Sequence, residues 1–218
     1  MRTKNPLRGL LQFHFYSVSG NAAFVILIIL ALAAVLLITG NNIVKNLFVA
    51  AGTVALPYTI MSGMGGKAYP KWERFQLTMP LGRSHLIGSH YLVVFLASLI
   101  GFPLIILALG MTFSLHEAWF DYNFTTALLG ALSFLAFPLI MAGLIFPIAI
   151  TKFGEGRGEA LFVVCSSAAI GVFILISWLG NRVNLATDVI SLVKFGTSVL
   201  VFAVSYFITR QIYAKLDF

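Results

Sequence analysis

Between residues 65 and 88 the chain places Trp72, Phe75 and Met79 at i, i+3 and i+7, so one face of a short helix would carry two large aromatic rings and a methionine. Lys71, Glu73, Arg74 and Leu77 fall between or beside them. Pro70 stands where a first helical turn accepts proline, and Pro80 stops the helix by pushing Met79 toward an extended conformation. Beyond it, Gly82 or Ser84 can cap a fresh helix, with Arg83 between them. The chemistry open to this arrangement is recognition, not bond-making. A compact amphipathic helix can seat its apolar face in the groove of a partner, or it can lie on a membrane interface.

Residues that make or break bonds are scarce elsewhere. The seven acids (Glu73, Glu117, Asp121, Glu155, Glu159, Asp188, Asp217) and four histidines (His14, His85, His90, His116) all fall in connections, in the tails or near the ends of apolar stretches. A carrier driven by H⁺ or Na⁺ places ionisable groups at membrane depth, and an intramembrane serine protease needs a histidine beside its serine there. Neither pattern occurs. His85, His90 and Glu73 are too few and too scattered for an enzyme acting on lipid. Cys165 sits alone in an apolar stretch, which excludes a disulfide framework and a cysteine metal site and points to a packing role. Ser62-Gly63-Met64-Gly65-Gly66-Lys67-Ala68 looks like a phosphate loop but lacks the Ser or Thr after the lysine and the preceding strand. The chain therefore reads as a non-enzyme with no metal, no cofactor and no nucleotide site of its own.

The elements that must position the aromatic face are membrane helices. Hydrophobic residues make up 60% of the 218 residues and charged ones 10%, far below the quarter normal in soluble domains. A helix needs roughly 20 apolar residues to cross about 30 Å of hydrocarbon, and six stretches qualify: 22–39, 43–63, 89–111, 124–150, 160–180 and 189–209. The fold class is all-α, a six-span bundle in one transmembrane domain over 1–218. Gly40-Asn41-Asn42 makes the first two spans a tight hairpin. Pro57, Pro103, Pro138 and Pro147 lie inside spans, where neighbouring groups must satisfy the carbonyls they free.

The net charge of +7 gathers in short connections, so it signals orientation and not nucleic acid. With both termini inside, inner segments hold eleven of the fourteen Lys and Arg, and the outer side keeps only Lys45, Arg182 and Lys194. That predicts an N-in/C-in topology in the cell membrane. Lys194, the deepest charge, would snorkel outward on its aliphatic stem. Residues 1–20 have no cleavable-signal pattern. Leu7, Leu10, Leu11, His14, Phe15 and Val18 recur at helical spacing, predicting an interfacial elbow helix ahead of the first span.

Trp72-Glu73-Arg74-Phe75, then Leu77-Thr78-Met79-Pro80-Leu81, then Arg83, Ile87, Ser89, His90 and Tyr91 resemble small six-span permeases of type-two ATP-binding-cassette exporters. The likeness is to the bacterial permeases that export phenol-soluble modulins and related amphipathic or antimicrobial peptides. Gly82 stands where that family often has Ser or Thr, and His90 where it often has Lys. The resemblance implies a homodimer of permeases docked on cytoplasmic ATPase subunits, with ATP and Mg²⁺ held on those partners. It makes Lys71 to Pro80, with Arg83, the coupling helix and its exit. It makes Lys152, Phe153, Glu155 and Arg157, in the inner connection 151–159, a second cytoplasmic contact. Amphipathic peptides or other hydrophobic cargo would suit a phenylalanine-rich chain without intramembrane charge. The alternative is a non-transporting immunity or signalling protein that binds other membrane partners.

Overall fold

The computed structural model describes residues 6–55, 57–59, 83–116, 123–149 and 158–215, and among them every regular element is a helix. In chain order these are α1 (Pro6–Thr39), α2 (Asn42–Ala50) running into a π-helical turn (Ala51–Ala55), α3 (Arg83–His116), α4 (Phe124–Ala149), α5 (Gly158–Arg182) and α6 (Thr187–Lys215). Four stretches, Ile87–Leu115, Phe124–Ala149, Ala160–Arg182 and Thr187–Lys215, are long and apolar enough to cross a membrane, and α1 adds the apolar run Ala23–Thr39.

Two differences from the sequence-based expectation stand out. The elbow predicted over 1–20 is not set apart from the first span, because Pro6–Thr39 is a single helix of 34 residues. Pro6 suits the first turn, and no proline follows within the helix. Gly20 alone costs about 1 kcal/mol relative to alanine, too little to end a helix with good formers on both sides. The second lies within the predicted span 43–63, which carries Pro57. There the hydrogen-bond ladder widens into the π turn Ala51–Ala55. Pro57 explains it: its ring would clash with the Thr53 carbonyl four residues back, and it brings no N–H to that carbonyl. Pro103, Pro138 and Pro147, by contrast, are carried inside continuous helices.

The turns between adjacent helices follow local rules. Gly40 takes a left-handed φ of 60°, and Asn41 caps α2 by accepting the Ile43 N–H at 2.7 Å. The α5–α6 turn is a Schellman motif, with Asn184 at φ 55° and N–H bonds from Leu185 to the Gly180 carbonyl and from Asn184 to the Asn181 carbonyl.

Contacts sort the helix termini into two ends. At one, the start of α3 meets the close of α4 and α6 through Tyr91, Phe146 and Thr209. At the other, Phe113 of α3 stacks edge-on with Phe124 of α4, and Thr126 of α4 faces Asp188 of α6. Helix α4 is the centre of the bundle, with half of its apolar stretch buried, against 17% for α5. Val163, Val164, Ile174 and Trp178 of α5 face outward, as lipid permits, because lipid tails are as apolar as leucine.

Without a hydrophobic drive between helices, contact depends on close fit. The closest is between the π turn and α3. A Cβ added to Gly101 would fall on the Gly52 carbonyl group and 3.4 Å from the Gly52 Cα, so two backbones touch with nothing between them. Gly101→Ala is expected to destabilise the detergent-solubilised protein by about 1–3 kcal/mol, the usual cost of overpacking. Gly110→Ala, where a Cβ meets nothing within 4 Å, should be no less stable than the parent and gain up to about 1 kcal/mol from helix propensity. Thermal unfolding of the two variants side by side checks this.

Candidate functional site

Helix α3 begins at Arg83, directly after the segment that carries Trp72. Its first turns expose His85, then bury Ile87, Ser89, His90 and Tyr91. The second half of the motif singled out in the sequence is thus built into the base of the bundle. Tyr91 is its centre. Its ring is boxed by Phe146 of α4 at 4.7 Å and by Phe202 and Tyr206 of α6 at 5.0 and 5.4 Å. Its hydroxyl reaches Ser205 Oγ at 2.6 Å and Thr209 Oγ1 at 2.7 Å, so it can donate to one and accept from the other.

That arrangement is unusual for hydroxyls in these helices. Thr53, Ser98, Thr112 and Ser198 each donate to a carbonyl four residues back on their own helix. Ser205 and Thr209 meet a side chain of another helix instead. They belong to a buried stripe on α6: Ser191, Ser198 and Ser205 at seven-residue intervals, then Thr209 and Tyr213 at four. Seven residues are close to two helical turns, so the stripe lies on one face and lets α4 come near. Where it does, a Cβ on Gly143 would lie 3.1 Å from Val201 Cγ1.

The opposite end carries charge. Lys45 and Asn46 of α2 and Thr126 of α4 border a cleft of about 130 Å³ floored by Val49, Ala127 and Phe134. Asp188, in the first turn of α6, approaches Thr126 Oγ1 at 3.5 Å and suits the positive end of the helix dipole. Lys194 is half-buried on the α5-facing side of α6. Its Nζ lies 5.8 Å from the centre of the Phe173 ring on α5, within the range at which a ring face attracts a cation. Arg182 makes the same kind of contact with Trp178 at 5.2 Å.

Of the residues predicted to contact a partner, Arg83 opens α3. Lys71, Trp72, Glu73, Arg74, Phe75, Leu77, Met79 and Pro80 lie outside the described residues, as do Lys152, Phe153, Glu155 and Arg157. Cys165 is buried against the apolar core, as its packing role predicts. Sequence reading missed the partners of Tyr91 and the Gly52–Gly101 contact. The serine stripe on α6 was a usable signal for the first, and nothing in the linear pattern pairs the two glycines.

An interhelical hydrogen bond in a membrane is worth about 0.6 kcal/mol on average and up to about 1.7. Thr209→Val should therefore destabilise the solubilised protein by roughly 1 kcal/mol. Thr197→Val, whose hydroxyl bonds only to its own helix at Val193, should change it little. Parallel melting curves give the comparison.

Neither a curated protein nor a solved structure matches the chain. A family does: the description "ABC-2 family transporter protein" applies over residues 9–214, from the opening of α1 to the close of α6. With a match that takes in nearly every residue and every membrane-length helix, the chain belongs to the ABC-2 family of transporter proteins.

Proposed function

We propose that this chain is the permease subunit of an ATP-driven exporter that moves amphipathic peptides or similar hydrophobic cargo out of the cell. One observation carries the reading: the ABC-2 family match over 9–214 falls on residues whose described elements are apolar, membrane-length helices. Membership of that family supports a separate ATPase as the source of power, and that partner would hold the ATP and Mg²⁺. In this reading six spans cross the cytoplasmic membrane with both termini inside, and the first turns of α1 lie near the inner surface. Two copies pair around the path.

The face made by Trp72, Phe75 and Met79 is the contact with the ATPase, flanked by Lys71, Glu73, Arg74, Leu77 and Pro80. Lys152, Phe153, Glu155 and Arg157 form a second contact on the same side. ATP-driven closure of the ATPases moves these contacts, and Arg83 hands the movement to α3. Cargo preference follows from chemistry. The spans carry no carboxylate near their middle, so the path offers an ion no compensation for lost water, whereas a greasy helix loses little on entering it.

The test is co-purification of the permease with its cassette ATPase, followed by ATP hydrolysis in vesicles. Buried aromatic anchors carry most of the energy of an interface. Trp72→Ala together with Phe75→Ala is therefore expected to weaken ATPase retention about tenfold or more. Amphipathic helical peptides should stimulate hydrolysis by the intact complex. Undiminished retention by the double variant would remove the coupling assignment. A complex that no peptide stimulates and that moves none would remove the cargo assignment, leaving a non-transporting immunity or signalling role.

A further inference from the structure

We propose that Tyr91 is a positioning residue for transport: its hydroxyl, held by Ser205 and Thr209, clasps the base of α3 to α6 so that a displacement entering at Arg83 reaches α6 undiminished. This rests on the exporter reading above and names the route by which its power is delivered.

Three observations converge on it. First, the place is right. Tyr91 stands on the helix that follows directly on the Trp72 segment, eight residues after its first residue Arg83, or about 12 Å along the axis. Second, the contact between α3 and α6 is slight. Helix α6 lies along α4 for much of its length but meets α3 over a short stretch, around Tyr91 and where Tyr206 passes Gly88. Apolar surfaces in such a contact can slide, because dispersion has no preferred direction. Hydrogen bonds of 2.6 and 2.7 Å do have one. Third, the hydroxyls are sealed in. Tyr91 is 4% exposed, Ser205 4% and Thr209 0%, so no water stands ready to replace a partner that shifts away. A clasp with these properties makes the two helices move as one body.

The α3–α6 pair is therefore the stroke-bearing unit, and α4, packed against both, responds to it. Loss of the clasp should leave the ATPase docked and turning over while its work is lost in slippage between α3 and α6.

The experiment uses the permease–ATPase complex in inside-out vesicles, with a fluorescent amphipathic helical peptide as probe. Peptide accumulated and ATP hydrolysed are measured together. Tyr91→Phe keeps the ring in its box and removes the hydroxyl. Ser205→Ala with Thr209→Val removes the partners and keeps the tyrosine. For each, peptide moved per ATP hydrolysed is expected to fall about fivefold, while ATPase retention is unchanged. Combining all three changes should be no worse than either set alone, because each breaks the same link. Ser205→Thr, which keeps a hydroxyl, should retain the parent ratio.

An unchanged ratio in Tyr91→Phe overturns the proposal. So does a loss of assembly or folded yield in both variant sets that accounts for the whole loss of transport, because the clasp would then be merely structural. A parent complex that binds no ATPase or moves no peptide is a different result: it fails the exporter reading before any variant is made.

Discussion

In hydrocarbon a peptide N–H has no water to turn to, and this one constraint shapes the chain from end to end. It explains why every described element is helical and why the turns at Gly40-Asn41 and Val183–Leu185 use their own side chains and carbonyls to close the helix ends. It also explains where irregular backbone is allowed. The π turn Ala51–Ala55 breaks the regular ladder, and its Gly52 and Thr53 are buried between helices and not turned toward lipid. Thr53 returns its hydroxyl to the Val49 carbonyl at 2.8 Å, which helps to complete the ladder just above the disturbance from Pro57.

Once the backbone is satisfied within each helix, what holds helices together is proximity. Two of the close approaches, Gly52 to Gly101 and Gly143 to α6, place the α2–α3 crossing and the central α4. The polar contacts between helices carry direction. They lie at opposite ends: hydroxyls around Tyr91 at the Arg83 end, and Thr126, Asp188 and Lys45 at the other. The middle of the bundle between them is mostly apolar, with Ile105, Leu109, Leu135 and Leu139 fully or nearly buried, and its buried hydroxyls on Thr53, Ser98 and Ser198 turn back to their own helices.

Much of this was legible in the sequence because it depends on composition within one segment. The membrane-length helices α3 to α6 follow from runs of apolar residues, and the α1–α2 hairpin follows from Gly40-Asn41-Asn42. The placement of Tyr91 followed from its motif, although its role did not. What was not legible depends on two segments meeting. Gly101 is one of nineteen glycines, and only the approach of the π turn distinguishes it. The spacing of Ser191, Ser198 and Ser205 marks a face of α6, but only the meeting of two helices names Tyr91 as the partner of Ser205 and Thr209. The unbroken α1 was missed for a different reason: amphipathicity at its start suggested a change of direction, whereas helix propensity continues through Gly20. The transport path resists reading on physical grounds too, because apolar side chains facing a greasy cargo and those facing lipid have the same chemistry.

The unequal lengths of the helices carry a further consequence. The membrane-capable stretch of α3, Ile87–Leu115, runs 29 residues without a Lys, Arg, Asp or Glu, and that of α5 runs 23, or about 44 Å against about 35 Å. A bilayer offers about 30 Å of hydrocarbon. Helix α3 must therefore lean or stand proud of the membrane, and the Tyr91 hydrogen bonds to Ser205 and Thr209 pass its tilt to α6, while the lightly packed α5 can settle by itself. Membrane thickness thus acts on this bundle as a mechanical load, pressing on the same two helices and sparing the third.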